Sequence, residues 1–131
     1  MKILVGYDGS KLGRNVLKLA REWAIAYSAS IEVVFVMPQD RELQYPDIQK
    51  VEDMMQKEAR NIFNGHNIPY QTHLLISNLS PGEELVEFTK QNKIDEIFIG
   101  VKRKSKAGKF LFGSTAQYVI LNAPCPVVTL K

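Results

Sequence analysis

The hydrophobic pattern of this chain changes period repeatedly, and that alternation restricts the fold more than any other feature. Five short apolar runs, "KILVGYD", "SIEVVFVMP", "IPYQTHLLIS", "IDEIFIG" and "PVVTL", are rich in β-branched residues and read as strands. Longer segments lie between them, and their apolar residues recur every three or four positions. After Ser10, an N-cap residue, Leu12, Val16, Leu19, Ala20, Trp23, Ala24 and Tyr27 form one helical stripe, with Lys11, Arg14, Lys18 and Arg21 off it. A second helix is expected from near Asp47, through Ile48, Val51, Met55, Ala59 and Ile62, ending where Gly65 supplies a left-handed residue. In "SPGEELVEFTKQNK" a capping serine, Ser80, precedes Pro81 at the first helical position and Glu83 three residues on. "GSTAQYVILNAPCP" repeats the spacing with Ser114 and Gln117.

Strands that alternate with helices along the whole chain imply a parallel sheet covered by helices on both faces. The expectation is one α/β domain of three layers over residues 1–131, with five strands in the order 3-2-1-4-5 and four helices. Crossovers in such a sheet are right-handed, and ligands sit at the carboxyl ends of the strands where the order reverses. In that order the reversal falls between the first and fourth strands. The loops that leave them are "GYDGS" and "GVKRKSKAGKFLFGST".

Charge is unevenly spread. Residues 1–96 carry eleven Lys and Arg against fourteen Asp and Glu, whereas residues 97–131 carry six basic residues and no acid, five of them between Lys102 and Lys109. A local patch of this kind suits a small anion or a docking contact. It argues against nucleic acid, which calls for a broad basic face interleaved with aromatic residues. No apolar run approaches the roughly 20 residues that span a bilayer, and "MKILVGYDGS" has no apolar core of a secretory signal, so a cytoplasmic protein is expected. Cys125, the single cysteine, lies between prolines and reads as a small hydrophobe at a strand entrance. His66 and His73 have neither metal-ligand spacing nor a nucleophile beside them, and Trp23 and the Met54–Met55 pair are assigned to packing.

The chemistry at the reversal point favours an anion. The fourth helix begins there with free backbone amides, beside the Ser114 and Thr115 hydroxyls, and the flexible glycines Gly100 and Gly113 bracket the loop and let its backbone come close to a ligand. The spacing is neither that of a P-loop nor GxGxxG.

From "VGYDGS" through the "GS" before the last helix to "CPVVTL", the chain resembles the universal stress protein family over essentially its full length. The nucleotide-binding branch of that family carries Gly, two residues, Gly, nine residues, then Gly with Ser or Thr. Gly100 and Gly113-Ser114 stand at matching positions, and Arg103 replaces the middle glycine. The resemblance implies an adenine nucleotide alpha hydrolase-like fold and a site that holds ATP or AMP, with or without Mg. Its residues would be Gly6, Tyr7, Asp8, Val36, Gly100, Val101, Arg103, Gly113, Ser114 and Thr115. In it Asp8 would meet the ribose or adenine region, the Val36 backbone the adenine edge, and Gly113, Ser114 and Thr115 the phosphates. Asp8 could equally serve only to turn the loop before the first helix. A guanidinium at Arg103 can fork onto phosphate oxygens in place of the lost backbone contact.

The function expected from this is a regulatory module of the stress response that binds adenine nucleotide. The alternatives are an adaptor that uses its basic loop on an acidic protein, or a slow ATPase, although nothing pairs a nucleophile with a base. The last strand has no charge before Lys131 and would lie at a sheet edge. Homodimerisation through Val127, Val128, Thr129 and Leu130 is therefore expected, as the resemblance also implies.

Overall fold

The computed structural model describes residues 1–40, 42–101 and 113–131. In chain order the elements are β1 (Lys2–Gly6), α1 (Lys11–Tyr27), β2 (Ser30–Pro38), α2 (Tyr45–Phe63), β3 (Tyr70–Ser77), α3 (Pro81–Gln91), β4 (Glu96–Gly100), α4 (Ser114–Asn122) and β5 (Val127–Leu130). All strand pairs are parallel, in the order β3-β2-β1-β4-β5. This is the expected order.

The strands carry apolar residues on both faces, because both are covered. On β1, Ile3 and Val5 point into one core with α1 and α2, where Val16, Leu17, Met55 and Phe63 meet Phe98 of β4. Leu4 points the other way, into a second core with Leu85, Val86 and Phe88 of α3 and Val119 of α4. Trp23 packs edge-on against Phe98, with ring centroids 5.1 Å apart. His73 on β3 sits 2.7 Å from Glu32 of β2.

Three local expectations need correction. Tyr27 stands on the α1 stripe but is 60% exposed, whereas Leu17 is buried. A helix of this length extends about 25 Å against about 17 Å for a five-residue strand, so its last turn overhangs the sheet. Helix α2 begins at Tyr45, with Pro46 in its first turn, where a missing N–H costs nothing. Ser114 is the first residue of α4 and not its cap. Gly113 holds the cap position and makes no side-chain cap bond.

The other helix signals hold. Ser10 Oγ accepts the Gly13 N–H at 2.9 Å, and Ser80 Oγ accepts the Glu83 N–H at 3.3 Å and donates to Glu83 Oε1 at 2.9 Å. Gly65 adopts φ +82° just past α2. Among the described residues no helix is long and apolar enough to cross a membrane.

Candidate functional site

Strands β1 and β4 are neighbours whose following helices cover opposite faces, and a cleft of about 310 Å³ opens above their carboxyl ends. Of the residues picked out in the sequence, Gly6, Tyr7, Asp8 and Val36 line it from the β1 and β2 side. Gly100, Gly113, Ser114 and Thr115 line it from the β4 and α4 side. Val101 does not line it. That residue is 2% exposed, and its N–H donates to Leu130 O at 2.8 Å, which ties the chain leaving β4 to the edge strand β5. Arg103 and the rest of "KRKSKAGKFLF" lie outside the described residues.

The floor of the cleft is built by local packing. Asp8 Oδ1 accepts from the Ser10 N–H at 3.0 Å and from the Ser10 hydroxyl at 2.5 Å, so Asp8 turns the loop and also faces the cleft. Gly9 lies between them at φ +81°, a conformation that suits glycine. Tyr7 runs beneath the loop. Its N–H donates to Val34 O at 2.9 Å, and its ring lies where any Cβ on Gly13 would approach to 2.9 Å. Burial raises the pKa of the Tyr7 phenol, with a smaller push from Glu58, and Arg14 opposes it.

Gly100 was expected to free the backbone. It has no left-handed φ, and the reason for glycine there is a side chain: a Cβ would stand 2.8 Å from Leu12 Cγ. Leu12 is itself part of the cleft wall.

Strand β2 outruns β1. The register ends at Gly6 opposite Val34, whose carbonyl takes the Tyr7 N–H, so Val36, two residues further and of the same parity, presents its backbone past the end of β1. Sequence reasoning missed Pro81 and Leu85, which α3 contributes as an apolar wall, and also Leu12, Gly13, Val34, Ile99 and Ala116. Ser10 lines the cleft as well as capping α1. Most of these are strand ends or first-turn helix residues at the reversal point, so the topology alone could have indicated them.

Three helices direct their N-termini at the cleft, and they differ in what they leave unbonded. At α1 the Gly13 N–H is taken by Ser10. At α3 the first residue is Pro81, with no N–H, and the Glu83 N–H is taken by Ser80. At α4 no side chain among the described residues caps the first turn. The positive end of one helix dipole is thus left to face the cleft, beside the hydroxyls of Ser114 and Thr115.

The same fold is found in known proteins. A universal stress protein of Methanocaldococcus jannaschii is 25% identical over 138 residues, covering 99% of this chain and 81% of that one. The structure of a universal stress protein from Archaeoglobus fulgidus superposes with a TM-score of 0.85 at 29% identity, over 100% of this chain and 93% of that one. A universal stress protein from the same organism, solved in complex with dAMP, gives a TM-score of 0.82 at 27% identity, over 100% of this chain and 98% of that one. The sequence also matches the Universal stress protein family from residue 1 to residue 131. The cleft at the reversal of a five-stranded parallel sheet is therefore set in a family fold, and this chain belongs to the universal stress protein family.

Proposed function

We propose that the chain binds an adenine nucleotide, ATP or AMP, in this cleft and acts in the cytoplasm as a nucleotide-responsive regulator of the stress response. The observation that carries this reading is the start of α4, the one of three converging helix N-termini that no side chain among the described residues caps. Such a terminus offers N–H donors and roughly half a positive charge to a phosphate. The apolar walls from Leu12, Leu85 and Val36 suit a purine face, and the Val36 backbone, past the end of β1, suits its hydrogen-bonding edge. Asp8 stands near enough to the same wall for the ribose or adenine, while Gly113, Ser114 and Thr115 take phosphates. The relative solved with dAMP supports the ligand class.

A thermal unfolding series with AMP, ATP and dAMP tests this, since ligand at 100 times its Kd adds about 2.7 kcal/mol of stability. Ser114→Glu gives the sharper contrast. A carboxylate in the first turn favours the helix dipole, so the free protein keeps its stability, but the charge repels a phosphate and the nucleotide shift disappears. A wild type that no nucleotide stabilises would remove the proposal and favour the adaptor reading, and a variant that binds as well as wild type would remove the start of α4 as the phosphate seat.

A second copy of the chain is the proposed partner, joined through the edge strand β5. Among the described residues Val127–Leu130 has no strand partner on its outer side in the sheet order, and Leu121 and Ile120 of the adjoining α4 are 73% and 43% exposed. Thr129→Lys on that strand is expected to convert a dimeric mass in light scattering to a monomeric one. A wild type that is monomeric at micromolar concentration refutes it.

A further inference from the structure

The β1–α1 loop is braced from α2 by Met54. The Tyr7 hydroxyl donates to Met54 Sδ at 3.7 Å, and the Met54 methyl lies 3.3 Å from where a Cβ on Gly9 would stand, with Phe35 Cε2 at 3.6 Å from the same point. Gly9 separates Asp8 from Ser10, and both of these line the cleft. The thioether therefore lies against the residues that shape the cleft floor. Its neighbour Met55 is 1% exposed and sealed in the core, whereas Met54 is half-buried.

We propose that Met54 is a reversible oxidation site, and that its sulfoxide loosens the Asp8–Ser10 loop and weakens ligand binding in the cleft; the ligand half of this rests on the nucleotide reading above. The oxidant is a peroxide. A sulfur lone pair attacks one peroxide oxygen, the S–O bond forms as the O–O bond breaks, and the other oxygen leaves as water in the case of hydrogen peroxide. Sulfur loses two electrons and the peroxide gains them. A dithiol reductant reverses the step and is itself converted to a disulfide, the oxygen leaving as water.

The consequence follows from polarity and volume. A thioether is a weak acceptor that packs as a hydrocarbon, and a sulfoxide is a strong acceptor with an added oxygen. Tyr7 is 3% exposed and burial holds its proton on, so the hydroxyl remains a donor and follows the new oxygen. The oxygen also needs room and further partners where Met54 packs on Gly9 and Phe35. The side chain shifts outward, and Gly9 loses its brace.

The full chain is treated with hydrogen peroxide and read in three ways. Peptide mass should show one added oxygen at Met54, with Met55 protected. Amide hydrogen exchange should quicken at residues 8–13, and affinity for AMP and ATP should fall roughly tenfold, the scale expected of a polar group left short of partners. Met54→Leu should remove the response of exchange and affinity to peroxide. Met54 staying unmodified while Met1 is oxidised overturns the proposal. So does modification that leaves exchange at residues 8–13 unchanged, or a Met54→Leu protein that still responds. The exchange measurement needs no nucleotide, so untreated protein that binds none defeats the functional reading separately.

Discussion

Replacing Gly100 by alanine isolates one contact on which both the fold and the cleft depend. The backbone at Gly100 is open to any residue, so the substitution carries no strain from φ. The added methyl would stand 2.8 Å from Leu12 Cγ and 2.9 Å from Leu12 Cδ2, with Val16 Cγ2 at 3.6 Å. Ordinary contact begins at 3.4 Å, so Leu12 must retreat by about 0.6 Å, or α1 must lift from β4. Overpacking of this kind costs about 1–3 kcal/mol, and for one methyl against one side chain we expect about 2 kcal/mol. For a chain of 131 residues that is a fall of roughly 6–10 °C in Tm.

The decisive measurement is a double-mutant cycle by urea unfolding. Leu12→Ala alone costs about 1–2 kcal/mol, since Leu12 is only partly buried. In the Gly100→Ala background it should cost little or even help, leaving a coupling of about 1–2 kcal/mol. If the two losses simply add, or if Gly100→Ala melts with the wild type, then helix packing is not why glycine occupies this position.

Other outcomes follow from the same geometry. Ser80→Ala removes the cap of α3 and should cost about 1 kcal/mol, with faster amide exchange in that helix's first turn; an unchanged exchange pattern would show the cap to be idle. The Tyr7 phenol is held above its ordinary pKa of 10.0 by burial first and by Glu58 second. The folded state therefore keeps its proton longer, so this contribution is complete below the unfolded pKa and is lost as pH rises through the folded one. Tyr7→Phe should accordingly lose less stability than wild type between about pH 9 and pH 11 in urea titrations, and parallel curves would count against it. Burial, then Asp95 and Glu96, raise the Cys125 thiol. Alkylation by iodoacetamide near pH 8 should be much slower in the folded protein than in urea, and equal rates would contradict the assignment.

The strands were legible in the sequence because both faces of the sheet are covered. Runs such as "SIEVVFVMP" are then apolar throughout, and no helix period can be fitted to them. The start of α3 was legible because Ser80, Pro81 and Glu83 each act within one turn. The cleft was legible as a place, from the strand order, and through the strand-end residues Gly6, Asp8 and Gly100. Pro81 and Leu85 were not, because they reach it from a helix that follows β3, and nothing in their spacing marks a contact made across layers. Gly100 was noticed for a sound pattern but given the wrong cause, since only coordinates place Leu12 above it. Ser114 was taken for a cap because serine and glutamine three apart fit that role equally well, and Gly113 occupies it instead.

The open start of α4 also determines how the cleft responds to acid. Peptide N–H groups and hydroxyls have no proton to gain or lose in the ordinary range, so this seat keeps the same character from mildly acid to mildly alkaline solution. A cluster of histidines in the same place would have made the protein a pH sensor. For the phosphate proposed above, acid dependence at this helix start would come from the guest, whose second ionisation lies at about pH 6. The α4 side of that proposed contact would stay constant, and the guest's own protonation would set how strongly it is held there.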